Sequence, residues 1–149
     1  MRALVQRVNK AQVTVDNKIT GKIEKGFCVF IGVTHGDTEK HARWLAEKIT
    51  GLRVFDDGEG KMNLSLKDVH GDLLVVSQFT LYGDCRKGRR PSFVQAADPT
   101  DAEILYKAFI DYLSEGGLKV ESGLFQTYMT VSLDNDGPVT LMIDTPEGL

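Results

Sequence analysis

Hydrophobic and polar residues alternate along the first third of the chain, a pattern typical of β-strands with one buried face. The alternation covers residues 3–8 and 12–15, and it returns at residues 18–23 after the turn-forming pair Asp16-Asn17. Residues 26–34 are almost all apolar and rich in β-branched side chains, which suits a strand buried on both faces. We therefore predict four strands in this part of the chain.

Two segments change to the spacing of an amphipathic helix, with apolar residues at i, i+3, i+4 and i+7. The first helix is predicted from residue 38, capped by Asp37 or Thr38, to a stop at Gly51. The second is predicted over residues 99–114, with Asp98 as its N-cap and Pro99 in the first helical position. The apolar stripes are Ala42, Leu45, Ala46 and Ile49 in the first helix and Ala102, Leu105, Tyr106, Phe109 and Leu113 in the second.

Further strands are predicted between and after the helices. Their positions are residues 53–55, 73–79, 118–121, 125–133 and 139–143, with an acidic turn at 56–60 and a charged loop at 82–91. The order of elements is neither purely antiparallel nor a regular βαβ alternation. We expect an α/β fold, with a mixed sheet or barrel-like double sheet covered on one side by the two helices.

The length of 149 residues favours one domain, residues 1–149. Hydrophobic residues make up 42% and charged residues 26%, so a core is expected and disorder is expected only after residue 144. The net charge of -3 argues against a basic nucleic-acid coat but allows a local basic patch. The two cysteines suggest neither a disulfide framework nor a zinc site, and no signal peptide or membrane helix is visible. We expect a cytoplasmic protein without membrane contact.

Common catalytic and cofactor signatures are absent: the nucleophile elbow, the phosphate loop, the dinucleotide fingerprint and the zinc-protease motif. The histidines His35, His41 and His70 fall in a loop, at a helix start and in a turn, where a solvated surface role is favoured over catalysis. The acidic turn lacks the alternating ligands and closing glutamate of a calcium loop. We expect no metal and no cofactor.

Two polar segments remain as candidates for chemistry. In the first, Ser77-Gln78-Phe79-Thr80-Leu81, a buried strand changes to polar residues just before the charged loop. It is either a functional site or a strand end whose hydroxyls satisfy nearby backbone groups. The second, Asn135-Asp136-Gly137-Pro138-Val139-Thr140, has the composition of a turn between two strands. Composition alone favours the structural interpretation of both.

A cluster of cations lies between these segments. It consists of Arg86, Lys87, Arg89 and Arg90. The cluster is either a solvated, mobile loop or a phosphate-binding patch that grips one end of an RNA. Composition does not separate these alternatives.

Together, the motifs Ser77-Gln78-Phe79-Thr80 and Asn135-x-Gly137-Pro138-x-Thr140 resemble the two signature motifs of the D-aminoacyl-tRNA deacylases. The resemblance extends to residues 3–8, 60–64 and 90–93, and it spans nearly the whole chain. Neither motif departs from the family's pattern.

The resemblance implies two layers of sheet with one layer of helices, and a homodimer that acts on the aminoacylated 3′ end of tRNA. The Gly137–Pro138 peptide bond would be cis and would reach into the partner's active site, held in orientation by Arg7. Met129 and Phe125 match positions near the pocket and the terminal adenosine in relatives. The residues that would line the pocket for the aminoacyl ester are Ser77, Gln78, Phe79 and Thr80.

Such a cis bond would turn consecutive carbonyl oxygens the same way, so that they receive the substrate's ammonium group and leave no room for an L side chain. Selection by exclusion predicts that many D-amino acids are accepted and that glycyl-tRNA is a second substrate. Because an aminoacyl ester is already activated, positioning of water and stabilisation of the oxyanion can suffice. Thr80 has no general base near it in sequence, so a positioning role is favoured over that of a nucleophile.

Two other functions stay open. A non-catalytic RNA-binding module would use the cationic cluster and leave the ester intact. A hydrolase of small D-amino esters would act on a free ester as well as on tRNA, with little dependence on salt.

Overall fold

The computed structural model describes all residues from Met1 to Leu149. In chain order the strands are β1 (Arg2–Val15), β2 (Lys18–Ile23), β3 (Gly26–Gly32), β4 (Arg53–Asp56), β5 (Met62–Ser65), β6 (Asp72–Ser77), β7 (Val120–Ser122) and β8 (Thr130–Asp144). The helices are α1 (Glu39–Thr50), α2 (Pro99–Glu115) and a short 3₁₀ helix, Phe79–Tyr82, that follows β6.

Strand β1 organises the main sheet because it pairs with three other strands. Its first half, residues 2–8, pairs antiparallel with β3, and its second half, residues 11–15, pairs antiparallel with β2. β8 pairs antiparallel with β1 along most of its length. β6 joins β3, and β7 joins β6, in parallel. Since β2 also contacts β6 and β7, the sheet curls into a barrel-like double layer.

One continuous strand stands where the alternation predicted two strands, at 3–8 and 12–15. The register of β1 against β8 shifts between Val8 and Lys10, which marks a bulge. A bulge of one residue moves the following side chains to the other face of the sheet. Accordingly, Val5 belongs to the core beside the helices and Ala11 to the core on the opposite face. The break in alternation is a bulge within one strand, not a strand end.

Two separate apolar cores pack against the two faces of the main sheet. The larger lies between the sheet and the helices, and Phe27, Leu45 and Phe109 are among its fully buried members. The smaller lies between the two halves of the curled sheet and contains Cys28 and Val76. Neighbouring residues of β3 thus enter different cores, as expected for a strand buried on both faces. The layers are helices, sheet and sheet, which confirms the expected α/β fold with two helices on one side.

Both helices form where the apolar spacing placed them. Thr38 is the N-cap of α1, and its backbone N–H donates to Nδ1 of His41 at 3.0 Å in a capping box. Pro99 occupies the first turn of α2, directly after its N-cap Asp98. Neither helix has both the length and the apolar character needed to cross a membrane.

Several strand boundaries differ from the prediction. The strand predicted over 73–79 ends at Ser77, because the chain turns into the 3₁₀ helix there. The strand predicted over 125–133 begins only at Thr130, and Gln126 before it adopts a left-handed φ of 57° that a strand does not accommodate. No turn separates this strand from residues 139–143, since β8 runs through both.

A small hairpin of β4 and β5 was only half predicted. The strand at 53–55 is confirmed as β4, whereas β5 was missed because Met62–Ser65 is too short to show a period. The predicted turn at Asp16 and Asn17 is confirmed, with φ angles of 48° and 62°. Two positive φ angles are typical of a two-residue hairpin turn.

Candidate active site

A pocket of about 670 Å³ opens where β6 ends, between the start of α2 and the segment that leads into β8. Twelve of its eighteen lining residues are hydrophobic, a composition typical of small-molecule sites. The structure brings six of the predicted site residues to this pocket, namely Ser77, Gln78, Phe79, Thr80, Phe125 and Met129. Segments almost fifty positions apart in the sequence therefore share one cavity.

The polar wall of the pocket forms where β6 changes into the 3₁₀ helix. Ser77 is the last residue of β6, and the next backbone N–H, of Gln78, donates to the carbonyl oxygen of Ile31 at 2.7 Å. The side-chain amide of Gln78 donates to the hydroxyl oxygen of Thr80. Phe79 and Thr80 open the 3₁₀ helix, where backbone N–H groups have no acceptor within the helix. Both of these N–H groups belong to residues that line the pocket.

The apolar wall, which carries Phe125 and Met129, is a loop rather than the predicted strand. The backbone N–H of Gly123 and the hydroxyl of Tyr106 both donate to the carbonyl oxygen of Val75 at 3.0 Å, which ties the loop and α2 to β6. The rings of Phe125 and Tyr106 pack with their centroids 5.7 Å apart. Burial raises the pKa of Tyr106 to about 12, so its hydroxyl remains a donor at neutral pH.

The cationic loop, residues 86–90, starts at the rim of the same pocket. Reciprocal backbone hydrogen bonds of 2.8 and 2.9 Å between Asp84 and Ser92 close it, and the next residue, Phe93, lines the pocket. Arg86 is already paired, because its guanidinium donates to both carboxylate oxygens of Asp84 at 2.9 and 2.7 Å. These hydrogen bonds lower the pKa of Asp84 to about 2. The exposed cations of the loop that form no ion pair are Lys87, Arg89 and Arg90.

The second polar segment lies inside β8, not in a turn between two strands. Against β1, Thr140 pairs with Gln6, and Asn135 pairs with Val8. Only Arg7 stands opposite the four residues between Asn135 and Thr140, so these four leave the register as a bulge. The residues whose composition suggested a turn between two strands therefore form a protrusion within one continuous strand.

Glycine and proline form the exposed part of this bulge. The Gly137–Pro138 peptide bond is cis, and Gly137 has a φ of 114° that favours glycine. Arg7 is only 5% exposed, and its guanidinium donates to the carbonyl oxygen of Val54 at 2.6 Å. Its Nε lies 3.0 Å from a carboxylate oxygen of Asp136, in ion-pair contact but without hydrogen-bond alignment. A Cβ added to Gly137 would stand 3.0 Å from the same guanidinium.

The bulge and the pocket lie apart within one chain. Arg7, opposite the bulge, pairs with Phe27 of β3, whereas Ser77 pairs with Ile31 of the same strand. Ser77 and Arg7 are thus separated by about 13 Å along the strands and about 10 Å across them, or roughly 16 Å in all. No residue of the bulge lines the pocket. The predicted site residues therefore form two groups in the single chain.

Two aromatic residues of the pocket were missed in the sequence analysis. The Phe93 ring meets the Phe79 ring edge-to-face, with centroids 5.1 Å apart, and Tyr128 stands 93% exposed at the pocket wall. For Phe93, the resemblance over residues 90–93 was an available signal. For Tyr128 there was none, because its segment was predicted as a strand.

The histidines lie outside this pocket. His35 borders a second, more open hollow of about 410 Å³ that contains none of the predicted site residues. Its Nε2 lies 3.0 Å from the carbonyl oxygen of Val94. His41 belongs to the capping box of α1, and His70 is exposed in a turn. No three His, Cys, Asp or Glu side chains gather in an arrangement that could hold a metal ion.

Comparison with protein families gives a match along nearly the whole chain. A profile described as D-Tyr-tRNA(Tyr) deacylase matches residues 4–144. A D-aminoacyl-tRNA deacylase of Thermotoga petrophila is 57% identical over 145 residues, which cover 97% of each chain. One from Thermus aquaticus is 59% identical over 147 residues, covering 99% of this chain and 97% of the relative.

Two solved structures are similar over nearly their full length. The one described as c-Myc DNA Unwinding Element Binding Protein is 39% identical, with a TM-score of 0.91 over 98% of this chain and 99% of that one. The one described as a probable eukaryotic D-amino acid tRNA deacylase is 22% identical, with a TM-score of 0.79 over 95% and 97%, and shows the fold alone. Because the family profile covers the chain and the relatives are more than half identical, this chain belongs to the D-Tyr-tRNA(Tyr) deacylase family.

Proposed function

We propose that the protein hydrolyses the ester bond of D-aminoacyl-tRNA and releases the free D-amino acid and the tRNA. The observation that carries this proposal is the pocket at the end of β6, which gathers Ser77–Thr80, Phe125 and Met129 in a chain of this family. The relatives' shared name, D-aminoacyl-tRNA deacylase, supports the substrate class.

The lining of the pocket favours catalysis by positioning. It includes no ionisable side chain apart from Tyr128, so no general base is at hand to activate Thr80 as a nucleophile. An aminoacyl ester needs less help than an amide, because it is already activated. A positioned water, with the N–H groups of Phe79 and Thr80 donating to the oxyanion, would lower the barrier. The ribose 2′-hydroxyl of the substrate is a further group for proton transfer.

The bulge of β8 selects the chirality of the attached amino acid by excluding L side chains. Its backbone carbonyls, held by Arg7, accept the substrate's ammonium group and occupy the space into which an L side chain would project. A D side chain points away into solvent, so its identity matters little. Glycine has no side chain to be excluded, and glycyl-tRNA is therefore a second substrate.

The bulge acts on the pocket of a second copy of the chain. The roughly 16 Å between Arg7 and Ser77 keeps the two groups apart within one copy. β8 pairs only with β1, which leaves the other edge of this fifteen-residue strand without a partner in the chain. In a two-fold homodimer, each bulge would enter the partner's pocket and two identical composite sites would result.

The direct test is release of labelled amino acid from D-tyrosyl-tRNA, L-tyrosyl-tRNA and glycyl-tRNA, each with a chelator present. We expect fast release from the D-tyrosyl and glycyl substrates and only the spontaneous rate from the L-tyrosyl substrate. Release of L-tyrosine as fast as D-tyrosine would overturn selection by exclusion. Failure to release glycine at any useful enzyme concentration would count against it as well.

The same assay separates the two alternatives. Binding of all three tRNAs without release of amino acid would indicate a non-catalytic RNA-binding module. Equal rates of hydrolysis of D-tyrosyl-tRNA and of a free D-tyrosine ester, without dependence on salt concentration, would indicate a hydrolase of small esters.

A mixing experiment tests the composite site. Gln78→Ala removes a pocket residue and Gly137→Ala distorts the bulge, so each variant alone is expected to be nearly inactive. After exchange of subunits, half of the dimers combine the two variants, and each of these has one intact site. Activity should then return to roughly a quarter of the wild-type value. A mixture that stays inactive would contradict a site shared between two copies.

A further inference from the structure

Three exposed aromatic rings stand together at the mouth of the pocket. Tyr128 is 93% exposed, Phe79 55% and Phe93 38%, and all three line the cavity. We call this set the aromatic lip. Exposed apolar side chains that lie together commonly mark an interaction surface, whereas single exposed apolar residues need no such explanation. Hydrolysis of the ester gives no role to the ring of Tyr128.

The cationic loop continues directly from the aromatic lip. Arg90 lies three residues before Phe93, at most about 11 Å along the chain, and the bridge between Asp84 and Ser92 closes the loop. Arg86 is neutralised by Asp84, so the positive charge available to a ligand is that of the three unpaired cations, Lys87, Arg89 and Arg90. The chain as a whole has a net charge of -3, so this positive patch is a local feature. It would attract a polyanion such as RNA to the mouth of the pocket.

We propose that the aromatic lip and the three unpaired cations bind the unpaired nucleotides that precede the esterified terminal nucleotide of tRNA. Aromatic faces that stack on bases, beside cations that hold phosphates, are what single-stranded nucleic acid requires. The proposal rests on the proposed function, because an ester held in the pocket forces the preceding nucleotides to leave through its mouth. Tyr128 is the leading stacking residue, since its ring is the most exposed of the three in the single chain.

The size of the effect follows from the chemistry of each part. Removal of one stacking ring costs about fivefold to a hundredfold in affinity. Removal of one cation that neutralises a phosphate lowers the slope of log affinity against log salt concentration by about 0.7 for a single strand. The two parts therefore leave different signatures: the ring changes affinity at all salt concentrations, whereas the cation changes the salt dependence.

The binding test uses a short single-stranded RNA that ends in the CCA sequence of tRNA and carries a 5′ fluorescent label. Fluorescence anisotropy is measured for the wild type, Tyr128→Ala, Tyr128→Phe and Arg89→Ala over a series of salt concentrations. We expect Tyr128→Ala to bind at least fivefold more weakly, Tyr128→Phe to bind like the wild type because it keeps the ring, and Arg89→Ala to show a smaller salt slope. Lys40→Ala, an exposed cation on α1, is the matched control and should leave the slope unchanged.

The kinetic test compares D-tyrosyl-tRNA with the D-tyrosyl ester of adenosine alone, which has no preceding nucleotides. We expect Tyr128→Ala to reduce kcat/KM on the tRNA at least fivefold more than on the adenosine ester. Equal losses on both substrates would overturn the proposal, because Tyr128 would then serve only the ester pocket. Wild-type RNA binding by Tyr128→Ala would overturn it too. If the wild type released nothing from D-tyrosyl-tRNA, the proposed function would fail, and the anisotropy result would still decide whether the RNA surface exists.

Discussion

The side-chain amide of Asn135 donates a hydrogen bond of 3.0 Å to the backbone carbonyl of Arg7, across the point where β8 leaves its register with β1. The same amide nitrogen donates to the carbonyl oxygen of Val139 at 3.0 Å, and the amide oxygen accepts from the hydroxyl of Thr140 at 3.0 Å. One side chain therefore fastens the bulge at both of its ends. An amide suits this position because it offers two donors and an acceptor together.

Asn135→Ala is expected to lower the free energy of unfolding by about 1–3 kcal/mol, because two backbone carbonyls lose a donor. Urea unfolding followed by circular dichroism measures this loss. Asn135→Asp keeps the acceptor but not the donors, so it should behave like the alanine variant. Ser132→Ala, at an exposed position of the same strand, is the control and should stay within about 0.5 kcal/mol of the wild type. Equal stability of the Asn135 and Ser132 variants would show that the amide does not hold the bulge.

Gly137→Ala is expected to destabilise the protein by about 1–3 kcal/mol and to abolish most of the deacylase activity. Its φ of 114° is unfavourable for alanine, and the new Cβ would stand 3.0 Å from the Arg7 guanidinium and from a methyl group of Val139. Gly58→Ala is the matched control, because nothing lies within 4 Å of its Cβ position and its φ is not left-handed. Thermal unfolding and D-tyrosine release are measured on both. A Gly137 variant as active as the Gly58 variant would contradict a role for the bulge in the site.

Thr80→Val is expected to reduce kcat/KM for D-tyrosyl-tRNA by at most about a hundredfold, the size of a lost hydrogen bond. The structure gives the Thr80 hydroxyl a partner in Gln78 but no general base. Thr127→Val serves as control, since its hydroxyl also borders the pocket but donates to the carbonyl oxygen of Leu124 at 2.8 Å. Loss of nearly all activity in Thr80→Val, with tRNA binding intact, would make Thr80 the nucleophile.

The two cysteines are expected to differ in reactivity towards a thiol reagent. Burial raises the pKa of Cys28 to about 12, so its thiol stays protonated through neutral and mildly alkaline pH, and the reactive thiolate forms only near the raised value. Cys85 is exposed in the loop after Asp84. The native protein should therefore titrate one thiol rapidly with 5,5′-dithiobis(2-nitrobenzoic acid) at pH 8, and a second only after unfolding in urea.

Single substitutions assign these two phases. Cys85→Ser should abolish the rapid phase, and Cys28→Ser should leave it in place. Two rapid thiols in the native protein would show that the core between the two sheet halves opens readily.

Local pattern was enough to predict the helices and most strands, and the resemblance to the deacylases supplied the two layers of sheet beside one layer of helices. The apolar stripe of α1 and its N-cap Thr38 are properties of adjacent turns of one helix, so neighbours in the sequence carry the signal. The apolar segment 26–34 likewise predicted a strand buried on both faces, because such burial needs apolar residues at successive positions. This strand is confirmed as β3, Gly26–Gly32. The motif Ser77-Gln78-Phe79-Thr80 was found in the sequence together with its position at the end of a buried strand.

What the sequence could not determine depends on contacts between distant residues. Only the pairing of β8 with β1 turns the Asn135–Thr140 segment from an apparent turn into a bulge, since the missing partner residues belong to the other end of the chain. Only the packing of the 123–129 loop against Val75 and Tyr106 brings Phe125, Met129 and Tyr128 to the pocket that Thr80 also lines. Periodicity reports which face of an element is buried, but it carries no information about which elements meet. The sequence by itself thus determined most of the elements and the candidate chemistry, and the tertiary structure decided which candidates share a site and which stand roughly 16 Å apart.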